Sequence, residues 1–312
     1  MFSAEYVCDR LADRGYPDAH ITAGDTDGCG IALPTADGQD DALSVVQDIC
    51  DTLNTDGYDS FFSTECGVDP SDHHGEIEVE SFAPKVFIPS RNPPHGDVGV
   101  KKRRIEYQTW DEGDDIDEIS ITGLEAERSD IAPLTRTAQE LFAETFRMDN
   151  PKDELFTQLR EWYDAVTEGT IALDRICKRG GIGQNLYEYG STSRSPQPIY
   201  RGAKYATDHI DGVTVQQGDK PVVIYIDSIQ SQSNEYPRTY EATTGEDGDI
   251  VDAVALNDVS RLPECFRVDW KRHRKKVLME PLMPLLQTRF GEDVWEEITT
   301  GHTQTGFNQF AE

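Results

Sequence analysis

Lysine is scarce in this chain: ten Lys stand beside nineteen Arg, against 59 Asp and Glu, in 312 residues of net charge −30. The six cysteines (Cys8, Cys29, Cys50, Cys66, Cys177, Cys265) include no Cys-x-x-Cys pair. That excludes a zinc ribbon or a thioredoxin-type motif and favours reduced thiols in a cytoplasmic protein. No run of about 18 apolar residues occurs, so a membrane span is not expected. The opening residues, Met1 to Arg10, are mixed and charged rather than signal-like. No internal repeat or extended low-complexity tract breaks the chain. At 37% hydrophobic and 9% aromatic residues it has the means to bury a core.

A Lys-poor, Asp-rich composition suits a cytoplasm rich in KCl. At molar salt the Debye length falls to about 3 Å, so net charge hardly acts at a distance. Net acidity therefore does not exclude a nucleic-acid ligand, and local basic clusters become the informative feature. Two exist: Lys101-Lys102-Arg103-Arg104 and the run from Lys271 to Lys276.

Periodicity predicts helices over residues 2–15 and 40–53. Between them, His20 to Ala23 and Cys29 to Leu33 read as a hairpin closed by Gly24-Asp25-Thr26-Asp27-Gly28. Residues 76–88 alternate like a strand. Residues 101–110 and 117–124 read as two more strands, split by an acidic loop. From about residue 130 the chain turns helical: 131–148, 151–168, 198–209 and a last helix over 268–291. One strong strand, Val222 to Ile226, lies among them, and 234–252 reads as a loose insertion. The expected class is α+β: an antiparallel sheet with a hairpin-borne acid pair, then a mostly helical domain. The expected boundaries are 1–128, 129–298 and a flexible tail, 299–312.

Asp25 and Asp27 stand at i and i+2 on the hairpin. In a strand that spacing puts both carboxylates on one face, where they suit a hard divalent cation such as Mg²⁺. Asp-Thr-Asp-Gly is also ordinary turn composition. An EF-hand fits poorly, because Cys29 stands where that loop wants an acid or Asn. The tail "TQTGFNQFAE" spaces Gln304, Phe307 and Phe310 like a sliding-clamp peptide, with Ala311 where a second aromatic is usual. A plain disordered tail is the alternative.

The run "LADRGYPDAHITAGDTDGCGIAL" resembles the segment of family B DNA polymerases that leads into their YxDTDG palm hairpin, with Ala23 in place of Tyr. The likeness continues in order. "IEVESFAPKVFIPS" is similar to that family's LEYEGF strand. "KKRRIEY" is similar to its KKxY strand, with Arg104 where Tyr is expected. "ITGLEAERSD" resembles its TRGLEIVRRD segment, with Gln139 in place in the helix that follows. "LYEYG", "PIYRGAKYATDHIDGVTVQQGD", "PVVIYI" and "VDWKRHRKKVLMEPLMPLL" look like the thumb of archaeal members. Nearly the whole chain is covered.

The resemblance implies the C-terminal part of a palm followed by a thumb. Exonuclease, motif A and fingers segments have no counterpart in the sequence. Asp25 and Asp27 would be carboxylates of a two-metal Mg²⁺ site, completed by an Asp from another polypeptide. Glu78 and Glu80 would flank that site. Lys101, Lys102, Arg103 and Arg128 would face primer-template DNA, and Lys271 to Lys276 would be a further backbone candidate. For each, a solvated charge or surface ion pair is the competing reading.

The implied function is templated nucleotidyl transfer from a deoxynucleoside triphosphate, by a split subunit or fragment needing an N-terminal polymerase portion. A PCNA-like sliding clamp would be a further partner, and the setting cytoplasmic. Two alternatives stay open: a non-catalytic DNA- and clamp-binding remnant, and an unrelated metal-binding α+β protein.

Overall fold

The computed structural model describes residues 2–24, 28–72, 74–93, 99–100, 102–148, 151–188, 197–230, 236–240 and 249–301. The chain forms two compact units, one of residues 1–88 and 101–122, the other of 89–100 and 123–312. Both combine helices with antiparallel sheet, so the class is α+β.

The first unit opens with α1 (Phe2–Asp13), then the hairpin of β1 (His20–Gly24) and β2 (Cys29–Ala32). Next come α2 (Gln39–Thr52), a π turn (Leu53–Gly57), α3 (Tyr58–Phe61) and a second π turn (Phe62–Cys66). Helical spacing puts Val7 and Leu11 of α1 against Ile49, Leu53 and Tyr58, and this buried cluster is the core. Ile31 and Leu33, at and just beyond the end of β2, pack on it, which ties the hairpin to the helices.

A second sheet follows: β3 (Ser81–Phe82), β4 (Lys85–Phe87), β5 (Arg104–Asp111) and β6 (Asp114–Thr122). β3 and β4 pair with successive stretches of β5, and β6 also pairs with β5. The expected long strand over 76–88 is thus cut to two short ones. Pro84, between them, has no N–H to give a ladder. Upstream, Asn54 takes the place of a strand partner: its side chain accepts from the Ile77 N–H at 2.9 Å and donates to the Ile77 carbonyl at 2.8 Å. The expected acidic loop is also shorter than predicted. Asp111 pairs with Asp114 across Glu112 and Gly113, whose φ values of 45° and 101° make a two-residue turn.

The second unit contains α4 (Pro133–Glu144), α5 (Pro151–Glu168), α6 (Leu173–Ile176), β7 (Lys178–Arg179) and α7 (Pro198–His209). β8 (Val222–Ile229), β9 (Thr239–Tyr240), β10 (Asp249–Ile250), β11 (Ala253–Leu256) and β12 (Phe266–Val268) come next. β7, β11 and β12 all pair antiparallel with β8. Val222, Val223, Ile224 and Ile226 are buried in succession, the mark of a strand covered on both faces. α7 covers β11 at Gly202, where a Cβ would lie 2.8 Å from the Val254 carbonyl carbon and 2.9 Å from the Ala255 nitrogen.

The helix expected over 268–291 is interrupted. α8 (Trp270–Arg274) passes through a π turn (Lys275–Met279) into α9 (Glu280–Phe290), and α10 (Val294–Thr300) follows. Pro281 has no N–H for the Val277 carbonyl four residues back. The buried Thr135 hydroxyl of α4 donates to that carbonyl instead, at 2.6 Å. One turn along α4, Gln139 donates to the Pro281 carbonyl at 3.2 Å and accepts from the Ala126 N–H at 2.7 Å.

His273 is buried at the centre of this unit. Its Nε2 accepts from the Tyr225 N–H at 2.9 Å, and its Nδ1 lies 3.2 Å from the Ile176 carbonyl. The neutral Nδ1–H tautomer satisfies both. Burial pushes its pKa down to about 4.

The unfolded chain holds a proton on His273 below about pH 6.5 while the folded one does not. Stability from this group is therefore full above about 6.5 and falls as pH drops towards 4, by about 3 kcal/mol over the window. Denaturant titrations at several pH values should show a shallower slope in His273→Asn; an unchanged slope would reassign the effect to carboxylates. Gly202→Ala forces a methyl against backbone that cannot move alone. It should cost about 1–3 kcal/mol, read as a lower urea midpoint.

Candidate functional site

β1 and β2 pair from His20↔Ala32 to Gly24↔Cys29, with an irregularity between Ile21 and Ala23. Residues 25–28 therefore join two paired strand ends. Asp25 and Asp27 themselves lie outside the described residues. Much of the hairpin is exposed. Its base is held by Tyr16, whose hydroxyl lies 2.8 and 2.7 Å from the two Asp41 carboxylate oxygens. Asp41 also accepts from the Asp37 N–H at 2.9 Å, and these bonds hold its carboxyl below the usual range.

Glu78 and Glu80 are exposed and alternate with the half-buried Ile77 and Val79, although residues 76–80 form no ladder. Among the described residues no group of three His, Cys, Asp or Glu is placed to hold a metal. In donor chemistry the acid pair at 25 and 27 suits Mg²⁺, which takes oxygen ligands, but two carboxylates are an incomplete set. All six cysteines are free. Burial raises Cys50 to about 11 and Cys177 to about 12, which keeps both as neutral thiols.

In the basic cluster before β5, Lys101 lies outside the described residues. Lys102 is exposed with φ of 58°, and Arg103 is exposed. The strand starts only at Arg104, so the alternation expected for 101–103 does not apply. Arg104 Nε donates to Glu106 at 2.8 Å.

Arg128 makes a two-pronged pair with Asp130: Nε to Oδ1 at 2.9 Å and Nη2 to Oδ2 at 2.7 Å. The pair raises the arginine and holds the Asp130 carboxyl down. Arg128 keeps 61% of its side chain exposed, so a phosphate can still reach it.

The run from Lys271 to Lys276 is largely committed inside the unit. Arg272 donates to Asp252 at 2.9 Å and lies over the Tyr225 ring at 4.1 Å. Arg274 lies over Tyr163 at 4.3 Å and donates to Thr167 at 2.6 Å. Lys276 pairs with Glu280 at 2.9 Å. Lys271 is exposed. The clamp-like residues Gln304, Phe307 and Phe310 lie outside the described residues.

Two features escape the sequence reading. Asp252, at the end of the supposed loose insertion, receives Arg201 through two bonds of 2.8 and 2.6 Å as well as Arg272. Burial opposes its charge, but the two arginines win and hold its carboxyl down. The other is a basic strip around β7 and α7. Its signal is a local reversal of charge: residues 175–204 hold six Lys and Arg against one acid, Glu188.

No helix among the described residues is long and apolar enough to cross a membrane. Comparison with known protein families finds no match, and no curated protein matches the chain.

Proposed function

We propose that this chain is the C-terminal palm and thumb portion of a family B-type DNA polymerase, acting in the cytoplasm on primer-template DNA. The observation that carries the reading is the paired hairpin, whose two strands meet across Asp25-Thr26-Asp27-Gly28. Its support is the order of the later segments in the sequence, each similar to the polymerase pattern. The reaction is nucleotidyl transfer from a deoxynucleoside triphosphate to a primer 3′ hydroxyl.

Asp25 and Asp27 would hold Mg²⁺, which when bound supplies positive charge for in-line displacement at phosphorus. By the resemblance, Glu78 and Glu80 would flank that site. A third carboxylate would come from residues outside this sequence, on the portion that also carries the nucleotide-binding fingers. Lys101, Lys102, Arg103 and Arg128 would hold the duplex through its phosphates, positioning rather than reading it. Phosphate contacts weaken steeply as salt rises. A clamp held by Gln304, Phe307 and Phe310 would offset that by raising effective concentration.

Primer extension in high KCl with Mg²⁺ tests the reading, with this chain alone and mixed with an N-terminal polymerase portion. Activity only in the mixture is expected. Asp27→Ala should abolish it and leave DNA binding within about twofold, since the duplex would be held by basic side chains rather than by this carboxylate. Surviving extension would sink the metal assignment, and bound DNA with no extension in any mixture would favour the remnant. Removing residues 303–312 should lower clamp-stimulated synthesis and spare basal synthesis. Equal loss of both rejects the clamp contact.

A further inference from the structure

The basic strip on the second unit has a definite construction. β7 ends at Arg179, which is exposed and donates through Nη1 to the Lys220 carbonyl at 3.4 Å, so the exposed Lys220 stands beside it. Next comes Gly180-Gly181-Ile182-Gly183. Ile182 is buried and pinned by its backbone: its N–H donates to Asp219 at 2.9 Å, and its carbonyl accepts from the Gly218 N–H at 2.8 Å. A Cβ at Gly180 would meet Ile199 at 2.4 Å, whereas one at Gly181 would meet nothing within 4 Å. The strip is thus anchored underneath and bare on top, which lets another backbone come close.

Gly183 donates to the Tyr200 hydroxyl at 3.2 Å, which leads the strip onto α7. One turn further along α7, Lys204 Nζ lies 5.9 Å from the centre of the Tyr187 ring. Tyr187 is 58% exposed, among the most exposed large apolar side chains described. It is held at two points: its hydroxyl donates to Asp208 at 2.6 Å and its N–H to Asn185 Oδ1 at 2.9 Å. Two of the nearby acids are occupied. Asp208 takes the Tyr187 hydroxyl, and Asp219 accepts from Asn257 and the Gln216 N–H, both at 3.0 Å.

We infer that this strip binds single-stranded nucleic acid, with a base stacked on Tyr187 and the adjoining phosphates met by Lys204, Arg179 and Lys220 over bare Gly181. A tethered, exposed ring beside a cation is the arrangement that takes an unpaired base, because every base offers a π face. Duplex bases hide those faces. The inference deepens the polymerase reading by giving a surface to an unpaired template strand, and it rests on that reading for which strand is bound.

Binding is measured on this chain alone, by fluorescence anisotropy with labelled oligothymidylate over a range of KCl. A failed primer extension therefore leaves it standing, and a failed binding assay leaves extension standing. Tyr187→Ala should weaken binding about tenfold, whereas Tyr187→Phe, which keeps the ring and gives up only the Asp208 tether, should lose much less. Removing both Arg179 and Lys220 as alanines should flatten the log–log salt slope by about 1.4, or about 0.7 per single-strand contact. Lys85→Ala, at an exposed lysine of the first unit, should leave affinity and slope unchanged. The inference fails if oligothymidylate is not bound, if duplex binds better and Tyr187→Ala has no effect, or if Phe and Ala weaken binding alike. It fails equally if polyglutamate competes as well as unlabelled oligonucleotide, or if Lys85→Ala matches the double variant.

Discussion

The second unit is organised around one neutral imidazole. His273 joins α8 to the middle of β8 through the Tyr225 N–H and to the end of α6 through the Ile176 carbonyl. Only the uncharged ring accepts at one nitrogen while donating at the other. Protonation would set a donor against the Tyr225 N–H, and burial already opposes the charge. Three elements therefore depend on a single protonation state. The flanking residues serve the same joint: Arg272 stacks on Tyr225 and reaches Asp252, which Arg201 of α7 also grips. Removing Asp252 would leave two guanidinium groups crowded together, so the carboxylate does structural work that its place in a polar stretch conceals.

The same principle recurs where α4 meets α9. Proline at 281 leaves a carbonyl open, and an open buried carbonyl costs about as much as a lost hydrogen bond. Thr135 fills that gap, and Gln139, one turn along α4, donates to the Pro281 carbonyl, so both tie α4 to the break before α9. The buried polar side chains Thr135, Gln139 and His273 are thus each bonded to backbone that an element leaves unpaired. Such groups hold position as well as stability, since few other packings would satisfy them.

Charge is distributed unevenly in this protein. Residues 1–122 carry eight Lys and Arg against 27 Asp and Glu, while residues 175–204 carry an excess of base. A chain of net −30 with a confined basic strip is suited to salt, where only contacts within a few ångströms count. Basic residues with the same formal charge have different fates. Those of 271–276 are largely paired or stacked within the unit, whereas Arg179 and Lys220 stand exposed. A run of like charge therefore says less about a ligand than its pairing does.

Local pattern by itself determined the class, the hairpin around Asp25 and Asp27, and helices α1, α2, α5 and α7 close to their ends. In each of these, apolar spacing and turn residues agree within a short stretch. Tertiary structure alone decided the rest. Pro84 and the Asn54 side chain cut the expected strand over 76–88. Thr135, 142 residues from its partner Val277, accompanies the break in the last helix. Arg201 and Arg272 turned the end of a supposed insertion into an anchor. The candidate site divides likewise: the acid pair and basic clusters are legible as composition, but which arginines are paired and which are exposed is not. Periodicity records which face of an element is apolar, and a hydrogen bond between residues far apart in the chain leaves no periodic trace.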